Sequence, residues 1–390
     1  MAYMTKLKPQ QLNVLKGKRL ILPHIDIELT ERCNNNCVHC CINLPEGDDG
    51  ARCSEMSTDL VKKILTDAAA LGCFTARFTG GEPLLYKDFA ELYLFTRRLG
   101  MEVVLFTNAR LVTPELAELF ARIPPRRLVE VSVYGMSSAT YDRVAGKEGA
   151  FEEFCRGIDL LLHHRVAFIV KAPLLRFLKD EQAEFEVWAK KIPSMVRAPR
   201  YSINFDLRSR RDDHAKNISI ARLRATPEET VEKLSHSASY LKQMGEFCSR
   251  FIGPPGDKLF SCGAGLGICV DAYGKAQMCL SLREASTVVD LRAVSLRSVL
   301  EDSFPVMREV RATNPDYLRR CARCFIKGLC EQCPAKSWME HGTLDTPVDY
   351  FCEVAHAQAR YLGLLGEYEH AWEVDEWRKR VERMNNLTVA

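Results

Sequence analysis

No run of apolar residues in this chain approaches the ~20 needed to cross a bilayer as a helix. The opening residues, "MAYMTKLKPQ", lack the apolar core of a secretory signal. Charge of one sign is also missing: 54 Lys and Arg against 51 Asp and Glu leave a net +3, too little for the basic face that nucleic acid requires. The cluster "RSRRDD" (208–213) carries its own acids and reads as solvated surface. Internal repeats and low-complexity tracts are absent as well. What remains is an ordinary globular composition, 47% apolar and 27% charged. The 390 residues fit two domains, or one large domain with an appendage.

Cysteine is what the chain has in excess, with 16. With no export signal, a cytoplasmic location is expected, with neither membrane nor nucleic acid as a partner. Disulfide frameworks do not persist in a reducing compartment, so clustered cysteines there point to metal ligands or catalysts.

Along the chain, β-like runs alternate with helix-like ones. Strands are predicted at "HIDIELT" (24–30), "FTARFTG" (74–80), "EVVLFTN" (102–108), "RLVEVSVYG" (127–135), "VAFIVKAPLL" (166–175) and "YSINFDL" (201–207). Helices follow over 57–72, 87–100, 113–123, 151–164, 182–191 and 227–247, the first with Ser57 as N-cap and Gly72 as its stop. Six strand–helix pairs predict an α/β fold, a partial (β/α)6 TIM-like barrel with its parallel sheet wrapped by helices. In such barrels chemistry sits at the carboxyl ends of the strands. Around residue 248 the texture turns rich in Gly, Pro and Cys, which marks a boundary. The expected organisation is a lead over 1–22, a barrel over 23–247, a Cys-rich domain over 248–355 and a helical tail over 356–390. The stretch "EYEHAWEVDEWRKRVERM" in that tail reads as an amphipathic cover.

"TERCNNNCVHCC" (30–41) leaves the end of the first strand with thiols at Cys33, Cys37 and Cys40. Buried cysteine behaves as a small hydrophobe, but Asn34, Asn35 and Asn36 do not suit a core. Three thiolates fall short of the four ligands of a closed zinc site, and Cys41, adjacent to Cys40, is a poor fourth. A 4Fe–4S cluster held by three cysteines leaves one iron open to something else. "TGGEP" (79–83) leaves the end of the second strand, so both loops point at one mouth.

These residues resemble the signature of the radical S-adenosylmethionine (SAM) enzymes. C-x3-C-x2-C after the first barrel strand is matched by Cys33, Cys37 and Cys40. His39 stands where an aromatic residue usually precedes the third cysteine. The family's "GGEP" is matched by Gly80, Gly81, Glu82 and Pro83; two glycines let backbone approach a ligand closely, and the carboxylate can take the SAM ammonium. "SVYG" (132–135) resembles the fourth-strand segment whose serine contacts the SAM ribose, which implies Ser132. Asn108 corresponds to the family's "TNG"-like segment. The resemblance implies a cluster that reduces SAM to methionine and a 5′-deoxyadenosyl radical, which abstracts a substrate hydrogen; the cofactors carry the chemistry.

A second array follows: Cys262, Gly274 ahead of Cys279, then "CARCFIKGLCEQC" with Cys321, Cys324, Cys330 and Cys333, and finally Cys352. Read alone, this is a metal signature for which a zinc ribbon competes. It is similar to the SPASM domain of peptide-modifying radical SAM enzymes, with one gap of two residues where the pattern has three. The resemblance implies two auxiliary 4Fe–4S clusters, one on Cys262, Cys279 and Cys333, the other on Cys321, Cys324, Cys330 and Cys352. The eighth ligand stays open between Cys248, Cys269 (strand-like, with a core reading) and an iron left to the substrate. Cys155, Cys73 and Cys53 read as core or incidental.

The function implied is a peptide or protein maturase making a thioether or carbon–carbon cross-link on a ribosomally made precursor. Its partners would be that substrate, a flavodoxin- or ferredoxin-type reductant, and a separate leader-binding protein standing in for the N-terminal winged-helix module of many relatives. A sulfatase-type maturase, oxidising Ser or Cys to formylglycine, is the second reading; there an aspartate follows the cysteine aligned with Cys279, where this chain has Leu280. An iron–sulfur electron carrier is the third, and it leaves "GGEP" unused. No residue declares itself as the catalytic acid or base.

Overall fold

The computed structural model describes residues 21–235 and 240–389. Six strands run parallel and in sequence order: β1 (His24–Thr30), β2 (Thr75–Gly80), β3 (Glu102–Thr107), β4 (Arg126–Ser132), β5 (Phe168–Pro173) and β6 (Arg200–Ser202). The helices between them include α1 (Thr58–Ala70), α2 (Phe89–Arg98), α3 (Pro114–Arg122), α4 (Ser138–Ala145), α5 (Ala150–His163) and α6 (Gln182–Ala189). Ile25, Ile27 and Leu29 of β1, Phe78 of β2 and Val129 and Val131 of β4 are buried in one core with Ile64, Tyr93, Phe120 and Leu161 of the helices. Ser57 caps α1 by accepting from the Leu60 N–H, and Gly72 beyond its end takes the left-handed conformation, φ 80°.

The opposite face of the strands carries charge. Asp26 of β1 pairs with Arg77 of β2 at 2.8 Å, and Lys171 of β5 lies 3.6 Å from Glu130 of β4 and over the Phe106 ring of β3.

Four expectations are corrected. The fourth strand ends at Ser132 rather than 135, and the sixth runs only over Arg200–Ser202. Past Ser202, Ile203, Phe205 and Leu207 stay buried without a ladder partner strand. An extra helix, α4, follows β4, with the Ser137 and Thr140 side chains forming a reciprocal cap and Gly146 ending it at φ 61°. The sheet also does not stop at six strands. β7 (Ile268–Val270) pairs parallel with β1, and β8 (Lys275–Gln277) and β9 (Val288–Asp290) extend it antiparallel. The Cys-rich region is thereby hydrogen-bonded onto the barrel's first strand.

The expected helix over 227–247 is described as α7 (Pro227–Ser235) and α8 (Tyr240–Phe251), on either side of residues 236–239, which lie outside the described residues, as does most of the lead. In the tail, helix α9 (Asp349–Tyr361) gives way to turns, and α10 (Trp377–Val389) begins only at Trp377. Phe351, Ala355, Ala359, Val381 and Met384 close a second apolar cluster over Phe325 and Ile326.

Candidate functional site

The loop after β1 gathers the first three thiols. Burial, with Cys37, Glu82 and Cys40 adding to it, holds the Cys33 thiol well above its usual range, opposed by the Asn35 backbone N–H. Burial pushes Cys37 up to about 12, with Cys40 adding to it; the Tyr134 hydroxyl and Lys216 act the other way. Crowded, buried thiols of this kind pay for proximity until something binds their anionic form. Three cations clamp the loop. Arg110 donates to the Asn34 carbonyl and the Asn35 side chain while paired with Glu153; Arg208 donates to the Asn43 carbonyl; Lys216 bridges Asn36 and Asn43. The asparagines that excluded a core reading are the struts of this loop.

At the top of β2, Gly80 and Gly81 lie against the chain leaving β1. A Cβ on Gly81 would stand 2.2 Å from the Arg32 carbonyl oxygen, and one on Gly80, at φ 125°, 2.1 Å from that of Thr30. Only glycine fits, so the second motif and the cysteine loop are held backbone to backbone. Pro83 opens a short 3-10 turn that Glu82 caps. The Glu82 carboxylate is buried and accepts from the Leu84 N–H, the Thr107 hydroxyl and the Asn108 N–H at 3.2, 2.8 and 2.8 Å. Burial still raises its pKa to about 7; the backbone and hydroxyl donors do not fully replace water, and a cation beside it would.

Asn108 is buried too and spends its amide inside the protein, donating to Asn34 Oδ1 at 2.8 Å and to Cys33 Sγ at 3.9 Å. His39 packs between Tyr134 and Phe205, ring centroids 5.8 and 5.2 Å away, and burial lowers its pKa to about 4, so the ring is a neutral aromatic wall beside Cys40. Ser132 ends β4, opposite Lys171. Just beyond it, Val133, Gly135, Ala172, Leu174 and Phe185 line an apolar pocket.

In the C-terminal region, Cys321, Cys324, Cys330 and Cys352 line one cavity. Burial lifts Cys321 to about 12 and Cys352 to about 11, with Cys330 adding to both. Cys262, Cys279 and Cys333 form the other set: burial lifts Cys279 to about 12, with Cys333 and Cys262 adding to it. Cys248 shares an apolar cluster with two thiols of the first of these sets, Cys324 and Cys330. It is buried in the apolar cluster with Tyr240, Met244 and Phe325, and burial alone lifts its thiol to about 12. Cys269 is buried on β7 and donates to Asp26 at 3.6 Å, in keeping with its core reading.

Between the first thiols and the C-terminal sets lies a polar junction. Arg283 donates to Glu28 at 2.6 Å and to Glu31, Arg210 reaches Glu31 at 2.5 Å, and Asp206 accepts from Lys336 and, at 3.5 Å, from Ser281. Sequence reading missed Arg110, Arg208, Lys216, Arg283 and Asp206, because each acts across 70 or more residues, as Arg110 does on Asn35 and Arg283 on Glu28, and carries no local motif.

The donor set can be set against two groups. A closed tetrahedral zinc site takes four ligands at ~2.3 Å, whereas the loop after β1 offers Cys33, Cys37 and Cys40, with Cys41 directly adjacent to the last. Buried, mutually repelling thiols with N–H donors aimed at them suit the larger, all-thiolate iron–sulfur cluster. The Asn34 and Asn35 Nδ2 groups beside Cys33 are buried with no partner, as donors reserved for a bound group would be.

Comparison with known proteins agrees with this geometry. Residues 27–186 match the radical SAM superfamily. That stretch is a radical SAM domain, whose family implies a 4Fe–4S cluster and SAM, and the chain as a whole, C-terminal region included, shares its fold with two solved structures. It is 28% identical over 338 residues to an AdoMet-dependent heme synthase of Methanosarcina barkeri, covering 81% of this chain and 92% of that protein. It is 23% identical over 318 residues to the subtilosin biosynthesis protein AlbA of Bacillus subtilis, covering 80% and 67%. Among solved structures, anSMEcpe with bound AdoMet superposes with a TM-score of 0.60 at 12% identity over 93% of this chain and 99% of that one. SuiB of Streptococcus suis bound to S-adenosylmethionine gives 0.62 at 16% identity over 88% and 80%.

Proposed function

We propose that this enzyme modifies a peptide or protein, forming a thioether or carbon–carbon cross-link on a ribosomally made precursor. When bound, the cluster on Cys33, Cys37 and Cys40 supplies the electron that splits SAM into methionine and a hydrogen-abstracting 5′-deoxyadenosyl radical. Glu82 would take the SAM ammonium, Ser132 the ribose, and the apolar pocket beyond β4 the purine. Asn108 holds the loop in place, and His39 with Tyr134 and Phe205 keeps water from its third cysteine. Cys262, Cys279 and Cys333, and Cys321, Cys324, Cys330 and Cys352, would hold two auxiliary clusters.

The observation that carries the peptide reading is the charge balance of the barrel and its mouth. Asp26, Glu28, Glu31 and Glu130 are matched by Arg77, Arg283, Arg210 and Lys171. Satisfied by one another, these groups offer neither sign of charge in excess, which suits a near-neutral peptide better than a multiply charged small molecule. Relatives support it: anSMEcpe has been solved with a Cp18Cys peptide and SuiB with its precursor peptide SuiA, and AlbA serves bacteriocin biosynthesis. A separate leader-binding protein and a flavodoxin- or ferredoxin-type reductant in the cytoplasm complete the proposal. The formylglycine reading ranks lower because Leu280 follows Cys279, although Asp206 brings a carboxylate within 3.5 Å of Ser281. An electron-carrier role leaves the Gly80–Gly81–Glu82 cradle without use.

A second reading has one observation in its favour, the heme synthase match over 92% of that protein. A carboxylate-bearing porphyrin, however, asks for surplus cations and flat apolar walls, which the paired charges do not offer. The test is anaerobic incubation of reconstituted enzyme, SAM and reductant with small peptides encoded beside its gene, and in parallel with an iron porphyrin. Release of 5′-deoxyadenosine with loss of a hydrogen pair from a peptide is expected. Turnover of the porphyrin alone contradicts the peptide reading.

A further inference from the structure

Lys327 lies in the turn Phe325–Leu329, between Cys324 and Cys330. The turn is pinned to the end of α8: the Gly253 N–H donates to the Phe325 carbonyl at 2.7 Å, and a Cβ on Gly328 would stand 2.6 Å from the Phe251 carbonyl oxygen. The Lys327 ammonium donates to the Gln332 carbonyl. Its side chain lines the cavity that holds Cys321, Cys324, Cys330 and Cys352, and also the neighbouring cavity that holds Cys262; among the described residues it is the one those two cavities share. The groups that act on it most strongly are Cys330, Tyr317, Cys321 and Cys333, drawn from both sets. Other cations serve one set each. Arg320 donates to Cys352 Sγ at 3.6 Å, Arg308 to the Cys262 carbonyl at 3.1 Å, and Lys336, beside Cys333, is taken by Asp206 and Glu331.

We propose that Lys327 is an electrostatic partner common to both C-terminal thiol sets, its single ammonium stabilising negative charge on the two auxiliary clusters at once. This rests on the reading that both sets hold iron–sulfur clusters. A thiolate-ligated cluster becomes more negative on reduction, so a fixed cation in a low-dielectric wall favours the reduced form and raises the potential. Lys327 therefore holds both auxiliary couples above where their thiolates alone would leave them, and leaves the couple at Cys33, Cys37 and Cys40 untouched.

The test is potentiometric titration, followed by electron paramagnetic resonance, of the full-length reconstituted enzyme and its Lys327→Gln and Lys327→Arg variants, with iron counted in each. Gln keeps a donor for the Gln332 carbonyl and removes the charge; Arg keeps the charge. The expected result is a downward shift of both auxiliary couples in Lys327→Gln, a much smaller one in Lys327→Arg, and no shift of the N-terminal couple in either. Iron lost from both sets in the Gln variant but kept in the Arg variant also supports a shared charge. Unshifted auxiliary couples, a shift of one couple only, or equal iron loss in both variants makes Lys327 a packing residue and overturns the proposal. Wild-type enzyme whose C-terminal thiols take up no iron overturns the cluster reading itself, and the proposal with it.

Discussion

Replacing Glu82 with Gln tests the cofactor cradle with a sign as well as a size. The wild-type carboxylate accepts three donors, among them the Asn108 N–H at 2.8 Å. Gln can offer an oxygen to one side only, so a buried donor then faces an NH2 group, at a cost of about 1–3 kcal/mol in stability. The SAM ammonium would lose a charge-assisted partner worth about 1.5–3 kcal/mol, or about 10- to 100-fold in affinity. The pH profile separates the two effects. Burial raises the Glu82 pKa from an ordinary 4.5 to about 7, so the folded state without SAM binds a proton that the unfolded chain has released. Its stability falls as pH rises from 4.5 towards 7. SAM, which needs the ionised form, binds wild-type enzyme about tenfold more weakly at pH 6 than at pH 8 through this group. The Gln variant should bind weakly and show no such slope. Anaerobic equilibrium dialysis with labelled SAM on cluster-loaded enzyme, from pH 6 to 8, measures both. Wild-type affinity in the variant, or the same slope in both proteins, refutes the assignment of Glu82.

Gly81→Ala should force the tops of β1 and β2 apart, since its Cβ meets the Arg32 carbonyl at 2.2 Å; a loss of about 1–3 kcal/mol in thermal unfolding is expected, together with iron loss from the N-terminal site. Arg283→Met leaves buried Glu28 without its cation and Glu31 with Arg210 alone and should cost about 3–5 kcal/mol, read by denaturant titration; a cost under about 1 kcal/mol would show that Arg210 serves both. Cys248→Ser, at a thiol on which burial acts without a neighbouring thiol, should leave the iron count at its wild-type value, whereas a drop of one cluster's worth would make Cys248 the eighth ligand.

The parts of this molecule that were legible in the sequence are those whose chemistry is local. Cys33, Cys37 and Cys40 reveal themselves by close spacing in the loop after β1, and Gly80 with Gly81 by their place at the end of β2, where only glycine fits. The first strand was plain from "HIDIELT", whose bounds match β1. What escaped depends on distance or competition. "YSINFDL" alternates as a strand, yet only Arg200–Ser202 pair with β5, because the residues beyond Ser202 turn inward to bury Ile203 and Phe205 instead. The cap of α4 was present in Ser137 and Thr140, masked by the strand-like "SVYG" before it. That β7 joins β1 could not be read from "ICV", three residues whose partner lies over 240 positions away. Arg110, Arg208 and Lys216 look like ordinary surface cations until the fold lays them against the asparagines of the cysteine loop.

The central claim is that Cys33, Cys37 and Cys40 hold a cluster whose open iron binds SAM. The most direct measurement is the electron paramagnetic resonance spectrum of anaerobically reconstituted, reduced enzyme before and after SAM is added, with a variant lacking the C-terminal thiols to isolate the first site. A reduced cluster signal that changes on addition of SAM, and vanishes in Cys37→Ala, is the predicted result. A spectrum indifferent to SAM, or zinc in place of iron at those three thiols, contradicts it.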